Sequence, residues 1–365
     1  MRHKLMILGD DIRINTALKE YVFARYEEKF GEISEIVFVS KKSNELLFAV
    51  QNHIQDIDAL SIVASSENYD IMAKILATLS DDVLELKDEN TLAAKNAINF
   101  KNGSFLIRLN QTYINLIRTN SCNEMSEILI DFSGDIRYFN LYDVDLNSAK
   151  ILLEPLLDPY KVQIELSEIL PNLVLVRCES EKFGSIGGFL LAVKNLFSNK
   201  FIDDGDIVRY MANKLIQKGL KITFAESCTA GMCAASFARF AGVSAAFDGS
   251  LVTYANRIKS EWLGVSNEIL QTYGAVSSEC MQSMLNGALA SSDADFALAI
   301  SGVAGPGGGS EEKPVGMVYV GAMDKSGNLD IKKLHLKGDR NYIRSQSVLH
   351  AYCVLLGLRD DLFFD

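Results

Sequence analysis

Proline is scarce in this chain: five residues in 365, and none before Pro155. Glycine is almost as thin at that end, where Gly9, Gly31, Gly103 and Gly134 are the only four before residue 155. Tight phosphate-wrapping loops need glycine to bring backbone close to a ligand, so residues 1–154 are poorly supplied for them. No CxxC pair occurs among the six cysteines (Cys122, Cys178, Cys228, Cys233, Cys280, Cys353), and no HxH, HxxH or HExxH among the four histidines. A zinc site is therefore not expected, and the thiols read as reduced, in a cytoplasmic protein. No apolar run approaches the roughly 18–20 residues that span a bilayer, and the start, MRHKLMILGDD, lacks the pattern of a secretory signal. Positive charge is in deficit on both sides of residue 200, at 21 Lys+Arg against 29 Asp+Glu before it and 15 against 18 after it, for a net −11. The footprint of a duplex-binding protein is missing, so neither nucleic acid nor membrane is an expected partner; a homo-oligomer is compatible with the composition.

At 48% hydrophobic and 23% charged residues, the chain has the balance of a folded protein of two or three domains. Residues 1–130 alternate strand and helix signals. KLMIL, EIVFV and ALSIVAS read as strands. NTALKEYVFARYEEKFG (ending on Gly31), SNELLFAVQNHIQDI and NYDIMAKILATL read as helices. The alternation predicts a parallel α/β sheet covered by helices. Residues 131–200 restart the pattern as a small α+β unit: a strand near RYFNLYDVD, a helix at SAKILLEPLL, strands KVQIEL and NLVLVRCES, and a helix at GGFLLAVKNLF. Residues 201–365 read as a second α/β domain, opened by an amphipathic helix that closes on Gly219 and ended by the helix RNYIRSQSVLHAYCVLLGL.

Four clusters in that last domain could carry chemistry. AESCTAG, residues 225–231, sits where strand KITFA gives way to a helix. Ser227 and Thr229 there either cap the helix or help to hold an anion. SGVAGPGGGSEEKPVG, residues 301–316, has five glycines in 302–309. It is neither a Walker A loop nor a dinucleotide fingerprint, and it reads equally as a ligand loop or a surface loop. GVSAAFDGSLVTYANRIKSEWLG, residues 242–264, contains Ser244, Tyr254 and Lys259. Lys259 falls in the first turn of a helix bounded by Asn256 and Gly264, where the positive end of the dipole and partial burial favour a neutral amine. Such an amine can serve a serine as general base, although the pattern by itself favours a surface lysine, a strand tyrosine and a turn serine. KGDRNYIR, residues 337–344, places Arg340 and Arg344 at i,i+4 behind a capping Asp339, as a phosphate or carboxylate grip or as a solvated face. Cys228 is a further nucleophile candidate against a buried packing role.

Taken in order, AESCTAG, AGVSAAF, VTYANRIKSEWLGV, YGAVS, ISGVAGPGGGSEEKPVG and KGDRNYIR resemble the C-terminal domain of the CinA family over residues 203–358. That domain is the nicotinamide mononucleotide deamidase, an amidohydrolase of the PncC type. The resemblance implies a three-layer α/β/α fold and hydrolysis of the nicotinamide carboxamide to nicotinate mononucleotide and ammonia. It implies a Ser–Tyr–Lys centre, matched here to Ser244, Tyr254 and Lys259, without metal or other cofactor. Ser227, Thr229, Gly305, Gly307, Gly308 and Arg344 are the expected substrate contacts. The family's ESCTGG reads ESCTAG here, with Ala230 for a glycine, and its GSS reads Gly242-Val243-Ser244. Residues 1–130 resemble the family's molybdopterin-binding-like domain in degenerate form. GDE survives as Gly9-Asp10-Asp11, GGxGPTxDD is replaced by SIVASSENYD, and the PGPP-type loop is absent. The expectation is a retained fold with the ADP-ribose pyrophosphatase chemistry lost. A non-catalytic nucleotide-binding regulator, or an adaptor linked to competence and DNA damage, is the alternative that the resemblance leaves open.

Overall fold

The computed structural model describes residues 2–40, 46–131 and 136–364. The chain forms two compact units, Met1–Ile136 and Arg137–Asp365. In the first, β1 (His3–Leu8) and β3 (Ala59–Ala64) are buried at every position, as near-continuous apolar runs require of central parallel strands. The elements run β1, α1 (Asp10–Ile14), α2 (Thr16–Phe30), β2 (Ile36–Val39), α3 (Leu46–His53), β3 and α4 (Ser66–Leu79). A hairpin β4 (Leu84–Asp88) and β5 (Thr91–Ala94) follows, then β6 (Asn99–Lys101), β7 (Ser104–Leu109) and β8 (Thr112–Arg118). The six-stranded sheet has the order β2-β1-β3-β8-β7-β6, parallel from β2 to β8 and antiparallel beyond. α2 closes on Gly31 in the left-handed region, as its sequence predicts. The expected helix over 43–57 is present from Leu46 to His53; residues 43–45 lie outside the described residues. The strands after residue 83 had no sequence assignment, being short and without strict alternation.

The second unit opens with β9 (Ile136–Tyr142), α5 (Leu146–Tyr160), β10 (Val162–Leu170), β11 (Leu173–Ser180), α6 (Ile186–Phe197) and β12 (Phe201–Ile202). Their sheet order β10-β11-β9-β12 is that of a split βαβ, ferredoxin-like module, with Phe139, Val176, Phe189 and Val193 in its core. α7 (Ile207–Lys218) follows, capped by the Asp206 carboxylate and ended by Gly219 in the left-handed region. Then come β13 (Ile222–Glu226), α8 (Met232–Ala238), β14 (Phe247–Val252), α9 (Asn256–Leu263), α10 (Asn267–Thr272) and α11 (Ser278–Ala290). β15 (Phe296–Gly302), β16 (Met317–Asp324), β17 (Leu329–His335), α12 (Arg340–Leu358) and α13 (Asp360–Phe363) complete it.

The sheet order is β14-β13-β15-β16-β17, parallel over the first three strands and antiparallel over the last two. α7, α8 and α12 cover one face; α9 and α11 cover the other, so this is a three-layer α/β/α arrangement. The chain leaves β13 toward β14 on one side and later returns to β15 on the other. Open α/β sheets bind ligands beside such a reversal, at the carboxyl ends of the parallel strands. Among the described residues, no helix is long and apolar enough to cross a membrane.

Candidate active site

Ser227 leaves the carboxyl end of β13. Its N–H donates to the Ile300 carbonyl of β15 at 2.9 Å, and the residue is 8% exposed. The chain then turns sharply into α8, with Ala230 N–H on the Ser227 carbonyl and Met232 N–H on the Thr229 carbonyl. The turn uses positive φ at two consecutive residues, Ala230 at 51° and Gly231 at 92°. Only glycine meets such a conformation without strain, so Ala230, in place of the family's glycine, carries a backbone cost.

Lys259 comes from the first turn of α9, after β14. It is 1% exposed, and its Nζ lies 2.9 Å from Ser227 Oγ, 2.8 Å from the Thr253 carbonyl and 3.3 Å from the Tyr254 carbonyl. Burial lowers its pKa below the ordinary lysine value, against a smaller opposing pull from the Cys280 and Cys228 thiols. A neutral amine has two N–H donors and one lone pair. In that form the two carbonyls, which only accept, take the two donors, and the lone pair is left for the Ser227 hydroxyl proton; in the ammonium form Nζ donates to Ser227 Oγ as well.

Tyr254 lies beside this pair but contributes differently. Its carbonyl binds Lys259, while its half-exposed ring carries the hydroxyl outward, where it accepts from Arg340 Nη2 at 2.9 Å. Arg340 Nη1 donates to the Gly305 carbonyl at 2.6 Å, and Arg344 Nη2, one turn along α12, donates to the Thr229 carbonyl at 2.6 Å. The two arginines thus tie α12 to the glycine-rich loop, to Tyr254 and to the serine turn. Gly305 and Gly308 both have positive φ, and a Cβ on Gly305 would stand 2.6 Å from Val315 Cγ1; Gly307 faces open space. Lys313, from the same loop, donates to the Tyr273 carbonyl at 2.6 Å. Thr229 Oγ1, Thr253 Oγ1 and Arg344 Nε are buried without a hydrogen-bond partner among the described residues, which marks room for polar groups of a ligand or water.

Ser244 is not part of this arrangement. It is an exposed residue of the short 3₁₀ turn Val243–Ala245 that precedes β14. The Ala246 carbonyl next to that turn accepts from Ile222 at the start of β13, so Ser244 lies at the amino-terminal edge of the sheet. The length of β13, on the order of 15 Å at about 3.3 Å per residue, separates it from Lys259. The expected pairing of Ser244 with Lys259 is corrected on this geometry. In parallel strands, the residue after one strand meets the residue after its neighbour, never the residue before it. That rule, applied to the observed parallel pairing of β13 with β14, selects Ser227. Cys228 is also set aside as nucleophile, because burial pushes its thiol up to about 11. Among the described residues, no group of three or more His, Cys, Asp or Glu side chains is placed to hold a metal ion, and all six cysteines are free thiols.

The family model of the CinA C-terminal domain matches residues 205–358. A CinA-like protein of Fervidobacterium nodosum is 41% identical over 154 residues, which is 42% of this chain and 38% of the relative. A putative competence-damage inducible protein of Thermoanaerobacter sp. is 38% identical over 202 residues, 54% of this chain and 45% of the relative. Among solved structures, the competence/damage inducible protein of Agrobacterium tumefaciens is 40% identical, with 42% of this chain and 93% of that chain covered and a TM-score of 0.41. A CinA superfamily protein of Klebsiella pneumoniae is 35% identical, with 43% and 95% covered and a TM-score of 0.40. The chain spans less than half the length of the curated relatives described here. On the matched domain and these identities, residues 205–358 belong to the CinA family by its C-terminal domain.

Proposed function

We propose that this chain is an amidase that hydrolyses the carboxamide of nicotinamide mononucleotide, with Ser227 as nucleophile and Lys259 as base. The observation that carries the reading is the 2.9 Å approach of a buried amine to a buried hydroxyl, with the Thr253 and Tyr254 carbonyls also within hydrogen-bond reach of that amine. Ser227 Oγ attacks the carboxamide carbon while its proton passes to Lys259 Nζ, and the carbonyl oxygen takes up the charge. The tetrahedral adduct collapses with transfer of that proton to the departing nitrogen, and ammonia leaves. Water then attacks the acyl-enzyme, giving its proton to Lys259; the bond to Ser227 Oγ breaks, that oxygen takes the proton back from Lys259, and nicotinate mononucleotide is released. Tyr254, oriented by Arg340, serves as a hydroxyl donor at the mouth of the site. Arg340 and Arg344, together with Thr229 and the Gly305–Gly308 backbone, form the phosphate grip. Neither a metal nor another cofactor enters these steps, and the enzyme is proposed to act in the cytoplasm.

The test is ammonia release from nicotinamide mononucleotide by the full chain. Ser227→Ala is expected to lose at least 1,000-fold in kcat, and Ser244→Ala to stay within twofold of the parent, scaled to the loss of a covalent nucleophile. Equal rates for parent and Ser227→Ala would remove the assignment, and tight binding without turnover would favour a regulatory nucleotide binder.

For the rest of the chain we propose functional segments 1–130, 131–200 and 201–365, the first without pyrophosphatase activity. Asp10 of the surviving Gly9-Asp10-Asp11 is engaged by Arg13 at 2.8 Å and by Ser40 Oγ at 2.8 Å, which supports a structural use of that carboxylate. Metal-supplemented full chain is expected to leave ADP-ribose intact, as read by chromatography of the nucleotide; release of AMP would overturn this.

A further inference from the structure

The residue before Ser227 is an acid with no solvent exposure. Glu226 belongs to none of the described ion pairs. Its carboxylate is met instead by backbone: Oε2 accepts from Gly231 N–H at 2.9 Å and Cys233 N–H at 3.0 Å, and Oε1 accepts from Ala234 N–H at 2.9 Å and more weakly from Ser250 Oγ at 3.5 Å. A buried carboxylate persists only when its oxygens are satisfied in this way. Both oxygens face donors, so the position specifies a group that accepts on both sides. A carboxylate does this; a carboxamide would turn an N–H₂ toward a backbone N–H. The Glu226 carbonyl also accepts from Thr253 N–H at 2.8 Å, and the Thr253 carbonyl accepts from Lys259. One residue is therefore tied by its side chain to the serine turn and by its main chain to the lysine.

The consequence lies in the amides of the turn. Those of Ala230 and Met232 are taken by carbonyls within the turn, and those of Gly231, Cys233 and Ala234 by Glu226. Of the two N–H groups that directly follow the nucleophile, that of Thr229 has no acceptor among the described residues, and that of Cys228 meets only its own thiol, a weak acceptor. Paired backbone donors beside a nucleophile are what an oxyanion requires.

We propose that Glu226 is a positioning residue of the Ser227 centre: by holding the turn from beneath, it reserves the Cys228 and Thr229 amides as donors to the oxyanion. The inference rests on Ser227 being the nucleophile, and the experiment separates the two. The probe is a small fluorophosphonate. Ser227 Oγ bonds to phosphorus, the P–F bond breaks and fluoride leaves, the serine proton passes to Lys259, and the phosphoryl oxygen occupies the oxyanion position. Intact-mass and peptide mapping give the site and rate. The parent is expected to be modified at Ser227, and Glu226→Gln at least fivefold more slowly, with the pH midpoint of labelling unchanged because Lys259 is untouched. Labelling of Glu226→Gln less than fivefold slower than parent overturns the proposal. So does slowing that comes with a midpoint shifted up toward that of free lysine, since that reports a loosened site rather than a misplaced turn. Should Glu226→Gln fail to fold, amide exchange on the parent decides: the Cys228 and Thr229 amides are expected to exchange at least fivefold more slowly in the phosphonyl adduct, and unchanged exchange overturns the inference. Absence of parent labelling at Ser227 removes the nucleophile itself, and the inference with it.

Discussion

At the scale of single residues, Lys259 is the group whose environment differs most from its sequence context. Its depressed pKa predicts that ammonia release rises with pH and levels off below about 10.4, the ordinary lysine value, as a pH–rate profile will read. Lys259→Arg, which stays charged, is expected to be inactive across the range. The same shift has a stability consequence. Between the folded and unfolded pKa values the unfolded chain binds the extra proton, so stability rises with pH. Relative to Lys259→Met, the parent should gain up to about 1.4 kcal/mol per pH unit inside that window and nothing below it, as measured by denaturant unfolding. Ala230, at φ 51°, makes the opposite kind of prediction. An L-residue there costs about 1–2 kcal/mol, and glycine's extra unfolded-state entropy returns up to about 1 kcal/mol of that. Ala230→Gly should therefore raise the unfolding free energy by a few tenths to about 1 kcal/mol, with turnover within twofold.

At the scale of elements, α12 is both a core helix and the bearer of the arginine pair. Ile343, Ala351, Tyr352 and Leu355 are buried along it, while its first turn reaches Tyr254, Gly305 and Thr229. The cap is Asp339, whose carboxylate accepts from Tyr342 N–H at 2.9 Å. Asp339→Ala is expected to cost about 1 kcal/mol in stability and, by fraying the turn that carries Arg340, to raise KM more than it lowers kcat. Asp339→Asn, which still caps, should preserve both; steady-state kinetics and thermal unfolding check the pair. The carboxyl ends of β13, β14 and β15 supply the serine turn, the tyrosine–lysine segment and the glycine-rich loop in turn. Their convergence follows from parallel pairing rather than from any short motif.

At the scale of the whole molecule, the proposed centre lies in the CinA C-terminal domain within the second unit, and the ferredoxin-like module shares that unit. The proposed centre needs only a hydroxyl, an amine and backbone donors. Ammonia release is accordingly expected to be unchanged after exhaustive treatment with a chelator; a loss restored by a divalent cation would contradict it.

Much of this was legible from residues 1–365 alone. Hydrophobic periodicity and capping residues located the helix ended by Gly31 and the helix ended by Gly219, and apolar runs located β1, β3, β13 and β15, because these signals are local to a few residues. The place of Lys259 in a first helical turn was likewise legible, but its burial was not, since the pattern by itself favoured a surface lysine. The partner of that lysine was not legible. Ser227 and Ser244 are both turn serines with small neighbours, and they differ only in which end of a strand they occupy. The family resemblance was matched to Ser244, 15 positions from Lys259, rather than to Ser227, 32 positions away. The parallel crossover reverses that order in space, by carrying the chain the full length of the sheet before β14 begins. The sequence by itself determined which side chains were on hand and which elements would form. Only the tertiary structure decided which hydroxyl meets the amine, because that choice rests on strand direction and register, which no single segment encodes.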